Sequence, residues 1–309
     1  MGKSATRDAY GKALAEFGGD ERIVVLDADL SKSTKTAVFK DAYPDRHFNM
    51  GIAEANMMGV AAGLAAAGKI VFASSFAVFA TSRAYEQIRN SICYPKANVK
   101  VCASHAGITV GDDGASHQSI EDISIMRTLP NMTVLCPSDA LETRFCVKTA
   151  IETDGPFYIR LGRLSVEDVY EPGRQFEKGK GIVLRDFGDD VAVIAAGYMV
   201  QQSLKAADIL LESGIKAKVI DMFSIKPIDK ELIVRCAEKT GFVVTCEEHS
   251  IIGGLGSAVC EVLSEERPTR VLRIGMEDTF GKSGTPDALL ELFGLNGAAI
   301  AEKIKRAMK

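Results

Sequence analysis

The chain alternates short apolar runs with longer segments of helical spacing. Ile23–Leu26, Val99–Cys102 and Thr133–Leu135 are β-rich runs of the kind that fill strands covered on both faces, whereas Ala5–Phe17, Glu54–Ala67, Ser82–Ile92 and Ala140–Ile151 repeat their apolar positions at helical intervals. Such alternation predicts a parallel sheet covered by helices. It pauses between Arg163 and Asp190, where Pro172, several glycines and mixed charge interrupt it, and resumes at Val191. Beyond the pause, strands near Val191–Ala195, Ala217–Ile220, Val243–Cys246 and Val271–Ile274 interleave with helices near Gln201–Glu212, Lys230–Lys239, Gly256–Leu263 and Asp287–Phe293. The expected fold class is α/β: two domains, residues 1–165 and 186–309, joined by a linker over 166–185, each with a mainly parallel sheet flanked by helices. Right-handed crossovers then gather the loops after the strands on one edge of each sheet, where open α/β sheets bind ligands.

Composition narrows the function classes. The 309 residues are 47% hydrophobic and 25% charged, which disfavours disorder, collagen-like repeats and a coiled coil. A net charge of −4 without a long run of Lys or Arg leaves no electrostatic footprint for nucleic acid or an anionic membrane, and neither is expected as a partner. The weakly charged stretch His47–Gly68 contains Asn49, Glu54 and Asn56 and is too polar for a membrane span. The N-terminus lacks the apolar core of a signal peptide, and the seven cysteines are odd in number with no Cys-x-x-Cys pair. Packing thiols in a reducing compartment are expected, and with them a cytoplasmic location.

Few residues carry chemistry. Glu54 is one carboxylate among small and apolar side chains, either a helix N-terminal charge favoured by the macrodipole or a carboxyl that shares a proton with a nitrogen heterocycle. Phe76 and Phe79 could stack on such a ring or belong to the core. The loop SHAGITVGDDGASHQ gathers His105, Asp113 and His117 just after a predicted strand. No metal site is expected there, because the two histidines are far apart and lack a third strong ligand nearby; hydrogen bonding to a polyhydroxylated or carbonyl substrate fits better. Arg160 and Arg163 close the strand FYIRLGR as either an anion-binding fork or a salt bridge. Gly253-Gly254-Leu255-Gly256 opens a helix after a strand, which suits either a bound nucleotide or close backbone packing, but it lacks the full dinucleotide spacing.

In order, GIAEANMMGVAAGLAAAG, SFAVFATSRAYEQI, SHAGITVGDDGASHQSIEDISIMRTLPNMTVLCPSD, GPFYIRLGR, VIDMFSIKPID and EEHSIIGGLGSAV resemble the second half of the thiamine diphosphate-dependent transketolase family. The resemblance implies a pyrimidine-binding domain followed by a transketolase C-terminal domain, acting in transfer of a two-carbon ketol unit from a ketose phosphate to an aldose phosphate. It implies that Glu54 hydrogen-bonds the cofactor's aminopyrimidine nitrogen, that Phe79, with Phe76 beside it, stacks on that ring, and that Asp113 and His117 bond the sugar hydroxyls, His117 also as a catalytic group. Arg7, Ser33, His105 and Arg163 match positions that hold the substrate phosphate. The family's Gly-Asp-Gly motif with its later Asn is missing, so the ligands of Mg²⁺ and of the cofactor's diphosphate are expected from a partner subunit, in a two-fold heterotetramer. Ser82 and Ala106 depart from many transketolases, which have Tyr and Asp there. A deoxyxylulose-phosphate synthase-like or 2-oxoacid dehydrogenase β-like subunit, or a non-catalytic nucleotide-binding subunit, stands as the alternative.

Overall fold

A computed structural model describes residues 2–309. The strands are, in chain order, β1 (Lys3–Ala5), β2 (Ile23–Asp27), β3 (His47–Asn49), β4 (Ile70–Phe76), β5 (Val99–Ser104), β6 (Thr133–Leu135), β7 (Phe157–Arg160), β8 (Ser165–Glu167), β9 (Ile182–Asp186), β10 (Val191–Ala195), β11 (Ala217–Asp221), β12 (Ser224–Lys226), β13 (Phe242–Ser250) and β14 (Arg270–Met276). The first large sheet runs β12-β6-β7-β5-β4-β2-β3 and the second β14-β13-β10-β11-β9, while β1 and β8 form a small antiparallel pair. Within the large sheets only the edge strands β12 and β9 are antiparallel. Every residue of β2, β4, β5, β10 and β11 is buried, as strands covered on both faces require.

The predicted elements are present with small shifts at their ends, with one exception. Helical spacing over Ser82–Ile92 gives no single helix: one helix spans Ala77–Ser82, Tyr85–Gln87 forms a further turn, and Ile88–Cys93 winds as a wider π-type turn. The hydroxyls of Thr81 and Ser82 donate back to the carbonyls of Ala77 and Val78, a bond that competes with helix continuation. The stretch expected as a linker carries β9, paired with β11, and the last residues add a helix, Gly297–Met308, capped by Asn296.

The two halves share polar cores. β12 joins the first sheet although it follows β11 of the second. Arg160 is buried, holds both oxygens of Asp122 at 2.7 and 3.2 Å, and donates to the carbonyls of Ser119 and Glu248. Burial alone would raise the Asp122 pKa; Arg160 reverses the shift and holds it below the usual value. Arg160 is therefore committed to Asp122 within the first domain and to the Glu248 carbonyl of the second, not to an anion-binding fork.

A second inter-domain cluster has no cation in it. Ser138 Oγ donates to Asp221 Oδ2 at 2.6 Å and lies 3.0 Å from Glu142 Oε2, and Tyr170 donates to Asp221 Oδ2 at 2.9 Å. The remaining oxygens, Glu142 Oε1 and Asp221 Oδ1, are buried without another partner, so one proton held by the two carboxyls satisfies both. Burial first, then neighbouring carboxylates, raises both groups, Asp221 to about 7. The folded state thus binds more protons here than the unfolded chain, whose carboxyls titrate near ~4, and loses stability as pH rises from ~4 toward about 7, the loss being complete above that. Melting curves from about pH 5 to 7 are expected to fall more steeply for wild type than for Glu142→Gln, by up to ~1 kcal/mol per pH unit; equal slopes would contradict the shared proton.

Candidate functional site

Parallel alignment places the candidate residues along one edge. Ser33 follows β2, Glu54 follows β3, Phe76 ends β4 with Phe79 one turn on, His105 follows β5 with Asp113 and His117 in the same loop, and Arg163 follows β7. Arg7 lies in the first turn of the helix Thr6–Phe17.

Glu54 is the first residue of the helix Glu54–Ala66, where the helix dipole favours a negative charge. Its side chain is 3% exposed, and its only side-chain partner among the described residues is Arg83, whose Nη1 lies 3.3 and 3.4 Å from the two carboxylate oxygens. The Arg83 guanidinium also lies over the Phe79 ring, 4.5 Å from its centroid. Phe79 stacks loosely with Phe76 at 6.0 Å, and the His117 ring meets Phe79 edge-on at 5.2 Å. A buried carboxylate beside aromatic faces can hold a flat, apolar-faced heterocycle through one of its ring nitrogens.

Beyond Phe76 the surface turns basic. His105 stacks on Phe76 at 3.7 Å, with a backbone φ of +57° that costs a non-glycine residue energy. Its Nε2 lies 3.1 Å from Arg7 Nη1, and its Nδ1 lies 2.8 Å from Ser104 Oγ. A guanidinium can only donate, so Nε2 accepts and Nδ1 carries the proton toward Ser104. Burial first, then Arg7 and Arg163, pushes the His105 pKa down to about 3, and the imidazole is neutral at physiological pH. Arg7 also donates to the carbonyl of Ser33 at 3.0 Å, and Arg163 donates to the carbonyl of Val110. Neither guanidinium pairs with a carboxylate among the described residues. Two cations satisfied only by neutral acceptors retain the capacity to bind an anion.

The Ser33 loop is fixed from beneath by Asp27, which accepts from the Leu30 amide and the hydroxyls of Thr34 and Thr36 at 2.6 to 2.9 Å. Asp113 lies exposed in the same loop, while His117 bonds Ser116 Oγ at 3.0 Å. No group of three or more His, Cys, Asp or Glu side chains among the described residues is placed to hold a metal ion. Sequence reasoning missed Arg83, which reads as an ordinary polar position in SRAYEQ. It also missed Asp27, although DADLSKSTKT offered a carboxylate followed by hydroxyls at turn spacing.

The glycine loop in the second domain holds a carboxylate of its own chain. Glu247 accepts from the amides of Leu255 and Gly256 at 2.7 and 2.8 Å, and a Cβ on Gly254 would collide with its side chain. Close packing accounts for these glycines, and the helix terminus has its anion already. No helix among the described residues is long and apolar enough to cross a membrane.

Comparison with known proteins fits this geometry. The family model described as transketolase, pyrimidine binding domain, matches residues 2–168, and that described as transketolase, C-terminal domain, matches 179–300. A protein of Methanocaldococcus jannaschii named as a transketolase C-terminal section is 53% identical over 307 residues, 98% of this chain and 96% of that one. The transketolase of Rattus norvegicus is 39% identical over 98% of this chain, which spans only 49% of that enzyme. A solved structure described as a split gene transketolase, inactive beta4 tetramer, superposes with a TM-score of 0.91 at 58% identity, covering 99% of this chain and 98% of that one. Matched by the two transketolase family models over residues 2–168 and 179–300, the chain belongs to the transketolase family.

Proposed function

We propose that this chain is the C-terminal subunit of a split transketolase. Assembled with a partner that carries the diphosphate-binding domain, it transfers a two-carbon ketol unit from a ketose phosphate to an aldose phosphate, using thiamine diphosphate and Mg²⁺. One observation carries the reading: a buried carboxylate, Glu54, beside the Phe79 ring, on the same sheet edge as Arg7 and Arg163, which have no carboxylate partner. The likeness to a chain described as inactive in its β4 tetramer supports dependence on a partner. So does a sequence without the Gly-Asp-Gly and later Asn that hold the metal and diphosphate in complete enzymes. A heterotetramer with two copies of each subunit, working in the cytoplasm, completes the proposal.

The residues present suit the cofactor. Glu54 would hold the aminopyrimidine nitrogen, with Phe79 and Phe76 as its apolar wall, while the partner supplies the oxygen ligands of Mg²⁺. When bound, thiamine diphosphate supplies the electron sink for breaking a carbon–carbon bond next to a carbonyl. Everything else falls to side chains of this chain. His117, against Phe79, orients a sugar hydroxyl and can move a proton there; Asp113 reaches a hydroxyl from the loop. Arg7, Ser33 and Arg163 hold the phosphate at the far end, with neutral His105 fixing the Arg7 guanidinium there, which sets the distance from anion to reacting carbon. That basic end favours a phosphorylated sugar over a bare 2-oxoacid.

Two outcomes follow for the assembled enzyme. Glu54→Ala is expected to lower turnover by at least about 10²-fold, the scale of a positioned proton-transfer group, and near-normal turnover would remove the assignment. Arg163→Ala is expected to raise KM for phosphorylated substrates about ten-fold or more while leaving KM for unphosphorylated ketoses nearly unchanged. An equal rise for both would place Arg163 outside the phosphate site.

A further inference from the structure

We propose that Arg83 guards the aminopyrimidine site: in the cofactor-free chain its guanidinium occupies the two contacts, Glu54 and the Phe79 face, that the cofactor's ring needs, and the ring enters by displacing it. The inference rests on the proposed use of thiamine diphosphate and adds how this chain's own residues regulate access to it.

The geometry is specific. Arg83 Nη1 lies 3.3 Å from Glu54 Oε2 and 3.4 Å from Oε1, and the guanidinium carbon stands 4.5 Å from the Phe79 centroid. A guanidinium is flat, donates in its plane and presents a face to an aromatic ring, so it satisfies the same pair of groups as a flat heterocycle bearing donor nitrogen. Glu54 has no other side-chain partner among the described residues, and a buried carboxylate left without one is costly. Arg83 therefore keeps the empty site stable.

The same arrangement lets the arginine leave. Its side chain is 52% exposed while that of Glu54 is 3% exposed, so the cation reaches water and the anion lies beneath it. Thr81 and Ser82 bond back to the preceding turn, and the helix ends at Arg83, four residues beyond Phe79. That spacing sets its side chain beside the ring, and a long stem allows it to swing into water. Its neighbour Arg89 instead bonds Asn90 on the surface.

The test uses the complete chain assembled with its partner subunit, with Arg83→Gln and Arg83→Lys beside wild type, and measures thiamine diphosphate binding in Mg²⁺ by calorimetry and stopped flow. Arg83→Gln is expected to bind the cofactor about five-fold or more tightly and to associate faster, because one exposed ion pair and one cation–π contact no longer compete. Arg83→Lys, which keeps the charge but loses the flat face, is expected to fall between the two and gives a reading if Arg83→Gln does not fold. If wild type binds and the variants bind equally or more weakly, Arg83 is no guard and instead supports Glu54 in the loaded site. If neither wild type nor variant binds, the thiamine diphosphate reading fails, and the guard with it.

Discussion

The parallel alignment of β3, β2, β4, β5 and β7 is the constraint on which the rest depends. Parallel neighbours point their carboxyl ends the same way, so loops separated by more than a hundred residues of sequence open on one edge. Glu54, Phe79, His105 and Arg163 have no common motif; only this alignment brings them together. Burial of these strands on both faces locks their register, because a shift of one residue would turn apolar side chains toward the wrong layer. The helices and the second sheet supply that burial, and β12 ties the second half of the chain to the first sheet.

On this scaffold the site's character comes from how each charge is satisfied. Arg160 and Arg163 stand three residues apart at the end of one strand, yet Arg160 is bound by Asp122 and two carbonyls between the domains while Arg163 meets a carbonyl alone. The charge of the first is neutralised by a carboxylate; that of the second is met by a neutral acceptor. Arg7 follows Arg163, and both lower the proton affinity of His105, which becomes a neutral hydrogen-bonding group among cations. Acid groups show the same contrast. Glu247 caps a helix, Glu142 and Asp221 hold a proton together between the domains, and Glu54 pairs with a half-exposed arginine.

The elements legible in the sequence were those with strong apolar period: the buried central strands and the long helices, among them Ala140–Glu152 and Met199–Glu212. The antiparallel edges β9 and β12 were not, because they are short, half polar and defined by the strand they meet. The final helix was missed because only Ile300 and Ile304 give its buried side large apolar groups. Over Ser82–Ile92 the apolar period was real, but back-bonding hydroxyls overrode it. At the site, the clustering of Glu54, Phe76, Phe79, His105 and His117 followed from strand-end position together with family resemblance. Arg83 was hidden because nothing in sequence spacing links it to Glu54.

On the proposed reading the chain supplies a ring-binding wall and an anion-binding end, and a partner supplies the groups for metal and diphosphate. The most direct measurement is two-carbon transfer from a ketose phosphate to an aldose phosphate by this chain alone, by a partner carrying Gly-Asp-Gly and a later Asn alone, and by their mixture. The account predicts transfer only in the mixture and only with thiamine diphosphate and Mg²⁺ present. Transfer by this chain alone, or a mixture that stays inactive with both added, would contradict it.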